Sequence, residues 1–400
     1  MNAPTTSPSR PRSPLRARPA MEGKAAPEAS QEARTRVMIV DDSLTVRTIF
    51  KRMVESAGDM DVVATASSAE RALAMLKTDP TDVVLLDLEM PGMGGLEALP
   101  SILKTAEGAQ VLVVSSLTPD GAEHTVSALS MGAADTMLKP RPGGFNEDYR
   151  AQLLGKIRAL GGKSADASAC CDSAQEPEGE AALTEPQGAQ SAVADPGAIP
   201  ICARTPELIA IGASTGGIHA LNIMLGGLPR DFELPILITQ HLPSSFIPVF
   251  ARQIEAACGR PTVIAEDGTE IRKGKVVIAT GHAHMVVRRV GDRLVAKTLV
   301  EPARSGCLPS VDPMLESAAQ ACDGHVLAVI LSGMGRDGLE GAHELVRLGG
   351  TVFSQDADSS AVWGMPGAVA KAGLTSYVAR PAHLAVAVAA QVSARAVSRA

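Results

Sequence analysis

The chain has 400 residues, of which 45% are hydrophobic and 20% charged, and its formal net charge is −7. Aromatic residues make up only 2% of the sequence, and no basic stripe with interleaved aromatics occurs, which argues against a nucleic-acid-binding protein. No run of 18 apolar residues is present, which argues against a transmembrane helix. We therefore expect two or three folded domains that neither bind nucleic acid nor insert into a membrane.

Residues 1–34 form the first distinct segment. They are rich in Pro, Ser, Ala and Arg, a composition that is typical of a disordered tail. A transit peptide is the alternative on charge alone, but the prolines would break its amphipathic helix and no apolar segment follows. We therefore predict a disordered N-terminal tail over residues 1–34.

Residues 35–160 contain five short apolar runs that alternate with helical stretches. The runs are residues 37–42, 62–66, 83–87, 111–117 and 135–139, and the helical stretches include residues 44–58 and 68–77. Strands that alternate with helices predict a parallel sheet with helices on both faces. We expect a first α/β domain with a five-stranded parallel sheet over residues 35–160.

A change of composition marks residues 161–204. Residues 161–203 carry seven Asp or Glu, one Lys, and almost no large apolar residue. Such a segment cannot bury enough apolar surface to fold by itself. We predict a flexible acidic linker over residues 161–204.

After the linker, strands and helices alternate again. The apolar runs are residues 208–214, 235–241, 262–266, 275–280, 284–290, 293–299 and 325–335. Gly-Asp-Arg at residues 291–293 separates two alternating runs and predicts a β-hairpin. We expect a doubly wound α/β domain with a β-hairpin over residues 205–385, followed by a C-terminal tail over residues 386–400.

Polar residues follow four of the five strands predicted in the first domain. Asp41 and Asp42 follow the first strand, Asp87 ends the third, Ser115 lies in the fourth and Lys139 ends the fifth. The carboxyl ends of parallel strands share one sheet edge, where ligands bind. Carboxylates suit Mg²⁺, and a lysine suits a phosphoryl group. One such residue is usually a solvated loop side chain, but five at one edge indicate a binding site.

This first domain resembles the receiver domain of two-component response regulators. The matching stretches are "VDDS" (40–43), "LLDLEMPGMGG" (85–95), "VVSS" (113–116) and "LKP" (138–140). The resemblance implies a flavodoxin-like fold in which a histidine kinase phosphorylates Asp87. The aromatic residue that often stands three positions before the lysine is replaced by Thr136, so the resemblance does not extend to an aromatic relay.

The same resemblance implies a cofactor and a set of phosphoryl contacts. Mg²⁺ would be held by Asp41, Asp42, Asp87 and the backbone of Glu89. Ser115 and Lys139 would contact the phosphoryl group and report its presence.

The run "LIAIGASTGG" (208–217) ends in a small-residue turn with Ser214 at its apex. A strand that leads directly into such a turn is one way to expose a nucleophilic serine. The pattern G-x-S-x-G is short, however, and it is equally compatible with a glycine-rich turn into a helix. The function of Ser214 depends on what else the chain brings to the same sheet edge.

A base for Ser214 has to lie at that edge. Of the eight histidines in the chain, His241 directly follows the apolar run "PILITQ" and so ends a predicted strand. His282 and His284 also follow a strand and are candidates for the pocket wall. His241 is therefore the expected base.

Asp337 is the expected partner of the histidine, since a third group should orient the imidazole. It lies in the glycine-rich turn of "VILSGMGRDG" (329–338), which follows another apolar run. Glycine-rich turns also expose backbone N–H groups, as an oxyanion hole requires. The chain order serine, histidine, aspartate differs from that of α/β-hydrolases, so an ordinary lipase or esterase is not indicated.

Residues 206–380 resemble the catalytic domain of the chemotaxis protein-glutamate methylesterases. The matching stretches are "IGASTGG" (211–217), "ITQHLP" (238–243), "LPSVDPM" (308–314), "LSGMGRDG" (331–338) and "VWGMPGAV" (362–369). A receiver domain in front of this domain matches the domain order of the same family. One departure is Leu308, where many relatives of this family have arginine. If that arginine contacts the substrate in the relatives, we expect a different substrate preference in this chain.

The resemblance implies a hydrolase that is regulated by phosphorylation and serves sensory adaptation. Ser214, His241 and Asp337 would form its catalytic triad, and the Met334 backbone N–H would bind the oxyanion. The substrates would be glutamate methyl esters on the cytoplasmic helices of chemoreceptors, with methanol as product, and glutamines would be deamidated by the same chemistry. No cofactor is expected in this domain.

Two other functions fit a chain with a receiver. A regulator whose second domain only binds a partner would need no triad, so the Ser, His and Asp at one sheet edge argue against it. A phosphorylation-regulated esterase for a small molecule would use the same residues, and only the resemblance favours a protein side chain. The six cysteines lack metal-site spacing, which indicates reduced thiols and a cytoplasmic location.

Overall fold

The computed structural model describes residues 34–116, 118–140, 144–162 and 204–398. The predicted N-terminal tail, except Arg34, and nearly all of the predicted linker lie outside these residues. The described residues belong to one compact unit. No helix in the described part of the chain is long and apolar enough to cross a membrane.

The first half of the structure is a five-stranded parallel sheet with the strand order β2-β1-β3-β4-β5. Its elements are β1 (Thr35–Val40), α1 (Leu44–Glu55), β2 (Met60–Ala66), α2 (Ala69–Met75), β3 (Val83–Asp87), α3 (Gly95–Thr105), β4 (Gln110–Ser115), α4 (Pro119–Met131), β5 (Asp135–Leu138) and α5 (Glu147–Leu160). This strand order is that of flavodoxin-like folds. The predicted fold of the first domain is therefore confirmed.

Local sequence explains where the helices of this half begin. Ser43, Thr118 and Asn146 precede α1, α4 and α5, and each side chain accepts a hydrogen bond from a backbone N–H in the first turn. Such caps satisfy amides that have no partner inside the helix. All five residues of β3 are buried, as expected for a central strand that is covered on both faces.

The second half is built on a seven-stranded sheet with the order β15-β14-β13-β6-β7-β10-β8, and all its neighbouring strands are parallel. The elements that form its strands or join them are β6 (Leu208–Ala213), α6 (Gly217–Gly226), β7 (Ile236–Gln240), α7 (Ile247–Cys258), β8 (Thr262–Ile264), β10 (Val276–Ile278), α8 (Val311–Ala321), β13 (Val326–Ile330), α9 (Leu339–Arg347), β14 (Thr351–Gln355), α10 (Met365–Lys371), β15 (Tyr377–Ala379) and α11 (Pro381–Ser398). The chain leaves β6 toward β7 and later returns to β13 on the other side. This reversal creates a crevice at the carboxyl end of β6, where ligands bind in open α/β sheets.

The predicted hairpin is present as β11 (His284–Val290) and β12 (Arg293–Leu299), which pair antiparallel across Gly291 and Asp292. The short strand β9 (Glu270–Ile271) adds to β12, so the hairpin belongs to a separate three-stranded sheet. Strand β11 of the hairpin packs on α8, which itself packs on β6, β7 and β13 of the large sheet.

The sequence patterns did not identify every element of the second half. Strands β9, β14 and β15 were not predicted. Helix α11 continues across the expected boundary at residue 385, because Ala387 and Val388 are fully buried in the core. Residues 386–398 are therefore part of this helix, whereas we had expected a tail from residue 386.

Candidate active site

Ser214 lies at the carboxyl end of β6, in a turn that we call the serine turn (residues 214–217). The Ser214 backbone N–H donates to the Ser332 carbonyl over 3.0 Å, and the Gln240 side-chain amide donates to the Ser214 carbonyl over 2.9 Å. Gly216 has a φ of +76°, and a Cβ there would lie 2.6 Å from Ala361. The turn therefore requires glycine at residue 216. The neighbouring strand ends hold the Ser214 side chain at the crevice.

His241 directly follows β7 and lies beside Ser214. Its Nδ1 is 3.1 Å from Ser214 Oγ, and its Nε2 is 2.7 Å from Asp337 Oδ2. In the neutral tautomer that fits both partners, Nε2–H donates to Asp337 and Nδ1 accepts from the Ser214 hydroxyl. The imidazole is thus placed to remove the proton of Ser214.

Asp337 is the buried end of this chain of hydrogen bonds. Its side chain is 1% exposed. Besides His241, its carboxylate accepts from the Ser310 hydroxyl (2.6 Å) and from the backbone N–H groups of Val311 (2.7 Å) and Gly338 (3.1 Å). Donors on both oxygens stabilise the ionised form and fix its orientation.

The electrostatics of the three groups follow from burial and pairing. Burial alone would lower the pKa of His241, but hydrogen bonds with Asp337 and Cys307 outweigh it and raise that pKa to about 10. Burial alone would raise the pKa of Asp337, but His241 and Ser310 hold it well below its usual range. Burial and the charge of Asp337 raise the pKa of the neighbouring Asp312 to about 7. Asp337 is therefore ionised at neutral pH.

A second layer holds Asp337 in place. The Ser310 backbone N–H donates to His284 Nδ1 over 2.8 Å, and His284 Nε2 lies 2.8 Å from the Glu301 carbonyl. Because Nδ1 accepts, the proton of neutral His284 sits on Nε2 and donates to Glu301. His284 is therefore a buried residue that fixes Ser310, and it does not reach Ser214 within hydrogen-bond distance.

The turn after β13 supplies a free backbone donor next to the serine. A Cβ on Gly333 would lie 2.8 Å from the Ser214 Cβ, so this backbone and Ser214 are in close contact. The Gly333 carbonyl accepts from the N–H groups of Gly364 and Met365. Within the described residues, nothing accepts a hydrogen bond from the Met334 N–H. This amide is available to a ligand at Ser214.

The loop between β12 and α8 brings two further side chains to the site. The Cys307 sulfur lies within 4.8 Å of a ligand nitrogen of His241 and of an Asp337 carboxylate oxygen. The next residue, Leu308, is 49% exposed. Leu308 thus presents an apolar side chain to solvent next to Cys307 in this loop.

The acidic pocket of the first domain assembles as predicted from the strand ends. Asp87 lies 1% exposed, and Lys139 Nζ is 2.5 Å from its Oδ2 and 3.0 Å from Asp41 Oδ2. The Glu89 N–H donates to Asp87 Oδ1 over 3.0 Å. Burial raises the pKa of Asp87 most strongly, Lys139 opposes this, and the pKa lies at about 6.

The same pocket fits a divalent cation and a phosphoryl group. Carboxylate oxygens of Asp41, Asp42 and Asp87 lie within 4.8 Å of one another, and all are hard oxygen ligands of the kind that Mg²⁺ prefers. Ser115 Oγ is buried and has no hydrogen-bond partner among the described residues. A buried hydroxyl without a partner is costly, and a phosphoryl oxygen would satisfy it.

The two sheets meet at the serine turn. Gly216 N–H donates to the Ala134 carbonyl over 2.5 Å, and Thr215 Oγ1 donates to Asp135 Oδ2 over 2.6 Å. Helix α4 packs on α6 and α7, where the Asn222 amide donates to Ser130 Oγ over 2.7 Å. The first domain is thereby bound to the two residues that follow Ser214.

All the predicted site residues lie at the two predicted sheet edges. Ser214, His241 and Asp337 form one chain of hydrogen bonds, with Met334 in the adjoining turn, and the acidic residues group with Ser115 and Lys139. The sequence reasoning missed Ser310 and Cys307. Ser310 lies within the quoted stretch "LPSVDPM" and Cys307 directly precedes it, and this stretch was the only signal that pointed to this loop.

Comparisons with known proteins agree with this arrangement. The response regulator receiver domain family model matches residues 37–144, and the CheB methylesterase family model matches residues 209–388. The protein-glutamate methylesterase/protein-glutamine glutaminase 1 of Paramagnetospirillum magneticum is 42% identical over 86% of this chain and 92% of its own length. The protein of the same name from Rhodospirillum rubrum is 40% identical over 86% of this chain and 91% of its own length.

Among solved structures, the crystal structure of the Thermotoga maritima CheB methylesterase catalytic domain is 32% identical, covers 45% of this chain and 95% of that chain, and has a TM-score of 0.44. The relatives at about 40% identity match both halves of the chain over most of their length. The resemblance seen in the sequence motifs is confirmed, and the chain belongs to the family of protein-glutamate methylesterases/protein-glutamine glutaminases that combine a response regulator receiver domain with a CheB methylesterase domain.

Proposed function

We propose that this chain hydrolyses glutamate methyl esters on the cytoplasmic helices of chemoreceptors and deamidates glutamines there. The observation that carries the proposal is the continuous chain of hydrogen bonds from Ser214 through His241 to Asp337. A small-molecule esterase would use the same chemistry, but every relative reported above is named for protein side chains. We assign the receiver to residues 35–160 and the start of the methylesterase domain to residue 205.

The reaction begins at Ser214. His241 Nδ1 accepts the hydroxyl proton as Oγ attacks the ester carbonyl, and the new C–O bond gives a tetrahedral oxyanion. The imidazolium then gives its proton to the departing methoxy group, methanol leaves, and an acyl-serine remains. Water attacks this ester with His241 again as base, which restores Ser214 and leaves a glutamate. Asp337 stabilises the imidazolium throughout.

Two features of the pocket serve this reaction. The unpaired Met334 N–H is a donor for the oxyanion. The raised pKa of His241 makes the neutral imidazole a strong proton acceptor. Because the pKa is raised, the fraction of His241 in this neutral form increases as the pH rises toward the pKa. The same steps with ammonia as the leaving group deamidate a glutamine.

Control of the reaction belongs to the receiver domain. A histidine kinase transfers a phosphoryl group to Asp87, where Ser115 and Lys139 bind its oxygens. Asp41, Asp42, Asp87 and the Glu89 carbonyl would hold Mg²⁺, which neutralises the charge that the phosphoryl group brings to this pocket. The chain has no further cofactor in this proposal, and the cytoplasmic helices of the substrate place it in the cytoplasm.

Strand β5 connects the two sites. Lys139 directly follows its carboxyl end, and Asp135, which binds Thr215, begins it. A phosphoryl group adds about −1.5 to −2 charges beside Lys139. Movement of Lys139 toward that charge shifts β5. The hydrogen bond between Asp135 and Thr215 passes this shift to the serine turn. In the unphosphorylated state the receiver limits access to Ser214, and phosphorylation releases it.

The deciding experiment is the release of methanol from a methylated receptor by the full chain, with and without a small phosphodonor and Mg²⁺. We expect methanol release that increases with the phosphodonor. Absence of release with any methylated receptor, while a small ester is hydrolysed, would contradict the assigned substrate and leave the small-molecule esterase.

A further inference from the structure

Next to the triad lies a potential metal ligand, the thiol of Cys307, that the proposed reaction does not use. A nitrogen of His241, the Cys307 sulfur and an Asp337 carboxylate oxygen all lie within 4.8 Å of one another. Ligand atoms of a tetrahedral zinc site lie about 2.0–2.3 Å from the ion, so a small inward movement of these side chains would suffice. Cys307 is partly buried in a loop. Its sulfur makes a weak 3.8 Å contact with the Ser305 carbonyl and a hydrogen bond with His241.

The chemistry of the three ligands selects a class of ion. A thiolate and an imidazole favour zinc and related transition ions over Mg²⁺ or Ca²⁺. Three protein ligands with one open position are typical of zinc sites that keep water or another small ligand. One thiolate and one carboxylate also balance the two charges of the ion, so the occupied cluster would be neutral.

We propose that His241, Cys307 and Asp337 form a binding site for a thiophilic divalent cation such as Zn²⁺, and that occupation of this site switches the hydrolase off. The Cys307 thiol releases one proton to solvent when its sulfur binds the ion, while the imidazole binds in its neutral form. A nitrogen of His241 and an oxygen of Asp337 coordinate the ion. The inhibitory part of this inference rests on the proposed function, because those two side chains are then unavailable to Ser214.

The receiver pocket provides an internal contrast. Within the described residues there are two clusters of three or more such ligands, and the other consists of Asp41, Asp42 and Asp87. That cluster offers only carboxylates and suits Mg²⁺. We therefore expect the carboxylate site to bind Mg²⁺ and the site with the thiolate to bind Zn²⁺. Mg²⁺ should support phosphorylation without inhibiting the esterase, whereas Zn²⁺ should inhibit the esterase.

The site is tested first by a spectroscopic readout that does not depend on activity. The full chain, freed of metal with a chelator, is titrated with Co²⁺, and the thiolate-to-cobalt charge-transfer absorption is recorded. We expect the band in the wild-type chain and in Ser214→Ala, its loss in Cys307→Ser, and its displacement by Zn²⁺ but not by Mg²⁺. Cys258→Ser is the matched control, since Cys258 ends α7 away from the triad. A band that persists in Cys307→Ser overturns the proposal.

The second readout is inhibition. Methanol release is measured against free Zn²⁺, and each variant is compared with its own rate in chelator. Loss of outer-shell partners costs metal sites about 10–100-fold in affinity, so loss of the Cys307 ligand should raise the half-inhibiting Zn²⁺ concentration by at least about 100-fold. Equal inhibition of Cys307→Ser and the wild type contradicts the proposal. If the chain releases no methanol at all, the proposed function fails, whereas the cobalt band still decides the metal site.

Discussion

The hydroxyl of Thr215, the residue after Ser214, donates a 2.6 Å hydrogen bond to the carboxylate of Asp135 in the receiver. The Asp135 carboxylate also pairs with Lys156 at 2.5 Å. The receiver thus binds the backbone segment that sets the position of the serine. Through this contact, a change in the receiver can alter the position of Ser214 directly.

An exposed ion pair at the edge of the same interface allows a mild test of this control. Arg252 on α7 lies 2.9 Å from Glu123 on α4, with side chains 63% and 62% exposed. We expect Arg252→Glu to raise the unphosphorylated rate of methanol release by about 2- to 5-fold, because an exposed pair contributes at most about 1 kcal/mol. The double variant Glu123→Arg/Arg252→Glu should return the rate to that of the wild type.

Removal of the receiver is the stronger version of this experiment. A fragment that starts near residue 204 should be more active than the unphosphorylated full chain, and a phosphodonor should leave its rate unchanged. If loss of residues 1–160 instead lowers basal activity, the receiver is an activator or a docking arm, and the inhibitory arrangement is wrong.

Ser214→Ala should abolish ester hydrolysis and leave the fold intact. Without the nucleophile, only binding and the oxyanion donor remain, so we expect a fall of about 10⁴-fold or more in kcat. Methanol release and circular dichroism measure the two properties. Ser376→Ala is the control, since Ser376 is exposed and precedes β15 at the opposite sheet edge. Near-normal release by folded Ser214→Ala would remove the triad from the mechanism.

Asp87→Asn should prevent labelling by a small phosphodonor in the presence of Mg²⁺. Removal of Mg²⁺ should have the same effect on the wild type, because a phosphoryl group beside three carboxylates needs a cation. Asp148→Asn, an exposed substitution on α5, should keep the label. Label that persists in Asp87→Asn and maps to Asp42 would show that Asp87 is not the acceptor.

The sequence was a good guide to the residues that directly follow strands. Ser214, His241 and Asp337 each come after an apolar run, and parallel strands bring such positions to one edge. Ser310 and Cys307 reach the same site from the loop between β12 and α8. No periodicity marks the path of such a loop, so their distances from Asp337 could not be foreseen.

The elements that were missed have weak local signals for a physical reason. Strand β14 ends in Ser354 and Gln355, which are buried although they are polar. Gln355 is satisfied because its Oε1 accepts from the Ser332 N–H over 2.8 Å, a partner that only the fold provides. The domain contact follows the same logic, since the polar side chains of Ser130 and Asn222 form a hydrogen bond with each other across the interface.

Ser310→Ala should reveal its role in positioning Asp337. The substitution removes the 2.6 Å hydrogen bond to Asp337 Oδ1, and hydrogen bonds to charged groups contribute about 1.5–3 kcal/mol. We expect kcat to fall by about 10- to 100-fold with little change in KM. A carboxylate with one donor fewer holds the imidazolium proton more strongly. The rise of activity with pH should therefore move to higher pH, and a lower kcat with an unmoved pH profile would indicate a purely structural effect.

The last prediction concerns Asp312, which lies in the first turn of α8 and accepts from the Gly341 N–H over 2.8 Å. Burial and the Asp337 charge raise its pKa to about 7, whereas an unfolded aspartate titrates at about 3.9. An acid with a raised pKa contributes most stability below the unfolded value and loses that contribution as pH rises toward the folded value. The wild-type chain should therefore lose stability between about pH 4 and pH 7 through this group.

Asp312→Asn keeps an oxygen that can accept from Gly341 but does not titrate. Its thermal midpoint relative to the wild type should accordingly be higher at pH 8 than at pH 5, with a change in free energy of unfolding of a few kcal/mol across this range. Asp292→Asn, in the exposed hairpin turn, should show the same difference from the wild type at both pH values. An Asp312→Asn difference that is equally independent of pH would mean that Asp312 is ionised throughout, and the burial of a neutral carboxyl beside Asp337 would have to be abandoned.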